Sequence, residues 1–310
     1  MLISCCERSG DSHCCHYCGR ISSCDLQLAG VLMVEMRERA GASMIVGIDA
    51  GGTLIKVAYT ENGTLHFDKY PIAEIQQVAS WVNDLSDSDI CITGGKSGVL
   101  LSLLDKKALE MVEFEATHLG VQFLLEKMGR DDDSYLLTNV GTGTSIHCVE
   151  NNQQERIGGT GIGGGTLVGL SRLLTGVMDY EEMVALARKG SRDRIDLKVK
   201  HIYEGKTPPI SGELTASNFG NKIFEFAHEL SKEELLAAVI GLVGETVSTV
   251  SVHAAKQCNN STIIYIGSSF FHNPLLKEVV ESYTVLRGAV PLFLENGEYS
   301  GAVGAMSVLK

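Results

Sequence analysis

The chain has 310 residues, 44% of them hydrophobic, which is long enough for two domains sharing a cleft and too apolar for a largely disordered protein. A formal net charge of −12 argues against non-specific binding to nucleic acid or to anionic membranes, since both need basic patches. No run reaches the roughly 20 apolar residues of a membrane span.

By composition, residues 1–43 stand apart. Cys5, Cys6, Cys14, Cys15, Cys18 and Cys24 crowd into this segment, whereas the remainder holds only Cys91, Cys148 and Cys258. His13-Cys14-Cys15-His16-Tyr17-Cys18 contains one C-x-x-C, half of a zinc site. No second knuckle stands at standard spacing, and the composition changes abruptly at Met44. The segment therefore reads as a Cys-rich extension, disordered or the product of a start placed too far upstream, and is set aside from the fold. The thiol-poor body reads as cytoplasmic.

From Met44 the pattern predicts strands over 44–49, 54–60 and 64–69, an amphipathic helix over 73–85 and a strand over 89–93. A second round predicts strands over 135–140, 144–149 and 154–157, a helix from Gly165, strands over 262–266 and 290–294, and a last helix from Tyr299. Between these, a helix is expected near Ala216, and Lys232–Lys256 reads as a long helix, deeply buried or at a dimer interface. The body is thus α/β and looks like a duplicated βββαβα unit.

Both rounds carry the same turn. Asp49-Ala50-Gly51-Gly52-Thr53 and Asn139-Val140-Gly141-Thr142-Gly143-Thr144 each run strand, polar residue, glycine–threonine turn, strand. Glycines permit positive φ and close approach of N–H groups to an anion, Thr53 adds a hydroxyl, and Asp49 ends an apolar strand where it can hold a hydrated cation. An ordinary hairpin has the same local sequence. Two such turns facing each other would make a cleft for a nucleotide's phosphates and magnesium.

Three further signals concern chemistry. Arg156-Ile157-Gly158-Gly159-Thr160-Gly161-Ile162-Gly163-Gly164-Gly165-Thr166 leads glycine-rich backbone into a helix, offering N–H donors for anions or a flat platform for a base. Gly267-Ser268-Ser269, after the strand over 262–266, is another contact of this kind. Glu113, in Val112-Glu113-Phe114-Glu115, is a candidate base for moving a hydroxyl proton, with Glu115 as its competitor. Lys56 could reach a phosphate or be a solvated strand lysine; Arg156 could hold a phosphate or carboxylate or form a plain salt bridge.

In this order, the motifs Gly47–Lys56, Thr93-Gly94-Gly95, Val112-Glu113-Phe114, Asn139–Ser145, Arg156 with its glycine loop, Ile195–Val199, Tyr265–Ser269 and Tyr283–Gly288 resemble the type II pantothenate kinases of firmicute bacteria. That family belongs to the actin-like ATPase superfamily, and the resemblance spans Met44–Lys310. It implies duplicated ribonuclease-H-like domains, 44–137 and 138–310, with a nucleotide cleft between them. The implied activity is ATP-dependent phosphorylation of pantothenate to 4′-phosphopantothenate, the first step toward coenzyme A, in a homodimer. Carried over residue by residue, Glu113 would be the general base. Asp49, Ala50, Gly51, Gly52, Thr53, Leu54, Ile55, Lys56 and Thr142 would surround the phosphates and Mg²⁺, which Asp49 would hold through water. Gly164, Gly165, Thr166, Leu167, Val168 and Ser268 would contact ATP, with Tyr180 near the adenine. Arg156 would bind pantothenate and the reacting region, as a catalytic residue beside Glu113, and Tyr283 would line the substrate pocket across the dimer interface. A sugar kinase of the same superfamily and a non-catalytic ATP-binding module are the competing readings; a binding module has no need of an acceptor base such as Glu113.

Overall fold

The computed structural model describes residues 44–61, 63–203, 205–221 and 229–309. The zinc and start-site expectations for residues 1–43 lie outside these.

Two five-stranded sheets carry the architecture, and they have the same topology. In the first, β1 (Met44–Ala50) pairs antiparallel with β2 (Leu54–Glu61), and β2 with β3 (Thr64–Pro71). Following helix α1 (Ile75–Asp84), β4 (Ser88–Thr93) adds parallel to β1. The short helix α2 (Ser97–Leu101) then leads to β5 (Leu109–Glu110), parallel to β4. After helix α3 (Glu113–Lys127), the second sheet repeats the plan with β6 (Tyr135–Val140), β7 (Thr144–Glu150) and β8 (Gln153–Thr160) antiparallel in succession. Its parallel additions are β11 (Thr262–Ile266) beside β6 and β12 (Val290–Phe293) beside β11. The duplicated unit expected from sequence is present strand for strand.

Between β8 and β11 the chain forms α4 (Gly164–Thr175), α5 (Tyr180–Ala187), β9 (Leu197–Lys198), α6 (Val199–Ile202), β10 (Thr215–Ser217) and α7 (Lys232–Gln257). Ala216 lies in β10, antiparallel to β9, rather than in the expected helix. The Thr215 hydroxyl, bonded to Glu245 and Tyr283, holds that segment extended. Helix α7 opens with a capping box in which the Glu234 N–H donates to Ser231 Oγ and the Ser231 N–H to Glu234 Oε2. Though apolar enough to cross a membrane, α7 runs through the core of the second half, packed on α4, α5 and α8 (Pro274–Leu286).

The last helix, α9 (Ser300–Ser307), returns to the first half. Its Ala302, Val303 and Met306 pack with Tyr299 on Ala58 of β2. It also crosses α3 at backbone contact: a Cβ on Gly304 would lie 1.7 Å from the Ala116 carbonyl oxygen, and one on Gly120 1.8 Å from that of Ser300. Only glycine fits at this crossing, and the crossing fixes where α3, and so Glu113 at its first turn, can sit. The expected division between 137 and 138 therefore falls inside β6, and the terminal helix of the second half covers the sheet of the first.

Candidate active site

Asp49 sits near the end of β1, flanked by β2 and β4, and is only 7% exposed. Lys56 lies directly opposite it in the β1–β2 register, and its ammonium donates to Asp49 Oδ2 at 3.1 Å. A carboxylate this enclosed needs such a partner or a cation. The turn beyond it is closed by the Gly51 N–H donating to the Leu54 carbonyl at 3.0 Å. Neither Gly51 nor Gly52 uses positive φ, contrary to the expectation; a Cβ on Gly51 would lie 3.0 Å from the Leu54 oxygen, so Gly51 allows the close turn, whereas Gly52 contributes open space, with nothing within 4 Å of its Cβ position.

Across the cleft, the second turn brings Thr142 Oγ1 to 3.3 Å from Thr53 Oγ1. The two glycine–threonine turns meet as the internal repeat requires. One cleft is lined by Asp49, Gly51 to Leu54, Lys56, Glu113, Asn139, Gly141, Thr142 and Ser268. Sequence reasoning missed Thr117 and a whole wall made by Gly297, Glu298, Ser300 and Gly301. Glu298 follows the turn after β12, and its only sequence signal is a polar run, Glu295-Asn296-Gly297-Glu298, joining a strand to a helix.

The glycine-rich segment is more structured than a loop. β8 extends through Thr160, and α4 begins at Gly164. The first helical N–H groups are already used: Gly164 donates to the Gly141 carbonyl and Gly165 to that of Thr142, each at 2.8 Å. The glycines thus serve close docking of α4 on the second turn more than they offer free donors. A Cβ on Gly164 would lie 2.6 Å from Ser269 Oγ, itself donating to the Gly141 carbonyl. Gly267, at φ +115°, brings the next loop against the end of β6, where a Cβ would meet the Val140 oxygen at 2.4 Å. Tyr180, first residue of α5, donates its hydroxyl to the Ser269 carbonyl at 2.6 Å and accepts from Asn273 Nδ2. Of the expected nucleotide contacts, Ala50, Ile55 and Leu167 have buried side chains that can offer only backbone, whereas Val168 is exposed on α4.

Glu113 opens α3 and shares the cleft with Asp49 and Lys56; Glu115, its competitor, does not line it. Burial raises the Glu113 pKa above the ordinary glutamate range, the Asp49 charge adds to this, and Lys56 opposes it. The segment before Glu113 is pinned by Thr93 Oγ1, which donates to the Met111 carbonyl at 2.9 Å. Glu113 is also a wall of a second hollow of about 370 Å³, lined by Gly94, Gly95, Ser97, Glu110, Met111 and Val112.

Arg156 sits on β8 opposite His147, next to an irregularity in the β7–β8 register that leaves Ile157 without a partner. Such a bulge re-aims the side chains beside it. The guanidinium lies 6.0 Å from the centre of the Phe114 ring, which packs on His147 at 4.9 Å, so Arg156 is placed beside the residue following Glu113. Among the described residues no carboxylate forms a salt bridge with Arg156. Tyr283 is not brought to this site. Its hydroxyl bonds Thr215 at 2.9 Å, and Thr215 in turn donates to Glu245, within a buried cluster that includes Arg192 and Asp196.

Three carboxylates, three threonine side chains and one ammonium therefore converge on the cleft. Hard oxygen donors with a single cation suit a polyphosphate that arrives with a divalent metal better than a bare anion. Among the described residues no cluster of three or more His, Cys, Asp or Glu forms a ready-made metal cage.

The sequence matches the Fumble family over residues 45–308. It is 46% identical to the type II pantothenate kinase of Staphylococcus haemolyticus over 263 residues, covering 85% of this chain and 99% of that one. It is 45% identical to the type II pantothenate kinase of Staphylococcus aureus (strain USA300) over 267 residues, covering 86% of this chain and all of the other. Among solved structures, component A of the (R)-2-hydroxyglutaryl-CoA dehydratase of Acidaminococcus fermentans superposes with a TM-score of 0.58 at 14% identity, covering 85% of this chain and 96% of that one. The ethanolamine utilization protein EutJ of Carboxydothermus hydrogenoformans does so with a TM-score of 0.52 at 13% identity, covering 91% and 98%. These structural likenesses establish the fold, that of the actin-like ATPases and sugar kinases.

Proposed function

We propose that this chain, which belongs to the Fumble family and within it to the type II pantothenate kinases, transfers the γ-phosphoryl group of ATP to the terminal hydroxyl of pantothenate with Glu113 as general base. The product is 4′-phosphopantothenate, the first intermediate on the way to coenzyme A. The observation that carries the role of Glu113 is its position as the shared wall of the phosphate cleft and the neighbouring hollow, where a donor and an acceptor can meet.

The chemistry follows from that placement. The acceptor oxygen forms a bond to phosphorus, the bond from phosphorus to ADP breaks, and the hydroxyl proton passes to the Glu113 carboxylate. The raised pKa of Glu113 makes it a better proton acceptor than a solvated glutamate. Lys56, Thr53 and Thr142 hold the phosphates in line between the turns. Asp49 would hold Mg²⁺ through water, since its hard oxygen donor suits that ion, and the ion would supply charge neutralisation to the transferring phosphate. Arg156, free of carboxylate partners among the described residues, offers its fork to the acceptor's carboxylate.

Homodimerisation and a cytoplasmic location belong to the same proposal. Val285 and Leu286, exposed beside Tyr283 at the end of α8, support an interface there, from which Tyr283 would line the acceptor pocket of a second copy. The thiols of Cys91, Cys148 and Cys258 are free, in keeping with a reducing compartment.

A coupled assay of ADP release with pantothenate, with a panel of sugars and with no acceptor tests the reading. Turnover should require pantothenate. Equal rates with a sugar, or robust hydrolysis without any acceptor, would overturn it.

A further inference from the structure

The register across the first sheet sets three charged residues in one row. Asp49 of β1 faces Lys56 of β2, and Lys56 faces Lys69 of β3, so all three project from the same face, the one that forms the cleft. Asp49 and Lys56 neutralise each other. Lys69, on the edge strand, is left beside a like charge, an arrangement that is unfavourable unless something else holds its ammonium. That partner comes from the other half of the molecule. Lys69 Nζ lies 3.3 Å from the centre of the Phe271 ring, which follows the 3₁₀ turn Ser268–Phe270.

The Phe271 ring is itself built into the base side of the site. It stacks on His272 at 3.9 Å, and His272, at φ +50°, turns its Nδ1 to 3.6 Å from Glu181, the neighbour of Tyr180. Ser269 and Asn273, on either side, bond Gly141 and Tyr180. The stretch from 268 to 273 is therefore tied to the second turn and to Tyr180, and Lys69 contacts it from the first sheet.

We propose that Lys69 is a positioning residue for the donor nucleotide: through its cation–π contact with Phe271 it holds the first sheet against the segment carrying Ser268 and Tyr180. The role rests on the ATP site proposed above. It leaves the acceptor side untouched, since Lys69 makes no contact with Glu113, Phe114 or Arg156 among the contacts described. Half-buried, the ammonium has its pKa lowered first by desolvation, with Glu298 opposing that shift, which is the condition under which an aromatic face contributes most to a cation. A solubilising edge-strand lysine would need neither the ring nor the cleft-facing position.

The test uses the full chain and four variants: Lys69→Met, Lys69→Arg, Phe271→Leu and the Lys69→Met/Phe271→Leu double. Binding of AMPPNP with Mg²⁺ is measured by titration calorimetry, and kcat and both KM values by the coupled assay. Lys69→Met and Phe271→Leu should each weaken AMPPNP binding and raise KM for ATP roughly three- to tenfold, the size of a partly desolvated cation–π pair. The pantothenate KM and kcat should stay within about twofold, Lys69→Arg should recover most of the loss, and the double variant should be no worse than the poorer single one. Losses that multiply in the double variant, unchanged nucleotide binding, or a change falling on pantothenate instead would each overturn the role. Failure of the unmutated protein to bind AMPPNP would overturn the ATP site and this role together, whereas normal binding that survives Lys69→Met would remove Lys69 alone.

Discussion

The two glycine–threonine turns occupy equivalent places in two sheets of one topology, yet they are held in different ways. The first follows an acid, is paired with a lysine across the register, and has an apex with open space around Gly52. The second follows Asn139 and is clamped from behind: α4 donates two N–H groups to its carbonyls, and Ser269 donates a third bond. Charge has been concentrated in one copy and rigidity in the other. A duplicated hairpin can specialise this way because a cation-assisted transfer needs both a place for charge and a fixed frame for the phosphates. Glu113 belongs to the charged half and Tyr180 to the rigid one, so the assignment of base and nucleotide platform follows the same division.

The sharpest way to break the charged half is Glu113→Gln. It should reduce kcat by about 10²- to 10⁴-fold, the usual contribution of a positioned base, while AMPPNP binding stays within a few-fold. Near-normal turnover would exclude Glu113 as the base. The base must be ionised to act, and burial raises its pKa, so the acid limb of kcat/KM should lie above the ordinary glutamate range and vanish in the residual activity of the variant.

The rigid half is broken by a methyl group. Gly267→Ala places a Cβ 2.4 Å from the Val140 oxygen at a φ of +115°, and should destabilise the protein by roughly 3 kcal/mol or more. Gly52→Ala, at the apex of the first turn, meets nothing within 4 Å and should cost less than about 1 kcal/mol. Equal losses in urea unfolding would mean that the apex of the first turn is as crowded as the loop packed behind the second.

Legibility from sequence follows a similar line. All strands of the two sheets but the two-residue β5 could be read because they are short apolar runs bounded by turn residues, and the pairing of the two turns because the repeat recurs in the residues themselves. Helix α3 could not: Ala116, Thr117, His118, Gly120, Val121, Leu124 and Leu125 are all buried, and a helix covered around much of its circumference shows no clean amphipathic period. With α3 hidden, Glu113 stood among other acids until the family resemblance singled it out. Glu298 was illegible for a different reason, because the fold brings it to Asp49 from the opposite end of the chain. The N–H groups of Gly164 and Gly165 were read as free donors because sequence gives no sign of which carbonyl faces a helix start.

His147 offers a test confined to the second sheet. It is 2% exposed, its Nδ1 lacks a partner, and its pKa is pushed down to about 4, by burial first and then by Arg156 and His118. The unfolded chain binds its proton near pH 6.5, so between pH 6.5 and about 4 the unfolded state holds more protons than the folded one. The stability associated with a neutral His147 is therefore fully present above pH 6.5 and lost as the pH falls toward 4, to a total of about 3 kcal/mol. Urea unfolding at pH 7 and pH 4.5 should show a shallower loss in His147→Phe than in the unmutated protein. An unchanged slope would place the acid sensitivity elsewhere.

The last effect concerns Arg156, which lies in the rigid half yet is proposed to serve the acceptor. Among the described residues its guanidinium faces a ring and a displaced strand register rather than a carboxylate, so it is oriented without being neutralised. That is the arrangement a residue needs if its charge is reserved for a substrate carboxylate. Arg156→Ala should raise the pantothenate KM about tenfold, in the range for a charge-assisted hydrogen bond, and leave AMPPNP binding within about twofold. Arg156→Lys should recover only part of the loss, because a point charge does not reproduce a planar fork. If nucleotide binding fell as much as acceptor use, Arg156 would belong to the phosphate frame of the second turn, and the separation of donor from acceptor duties would have to be redrawn.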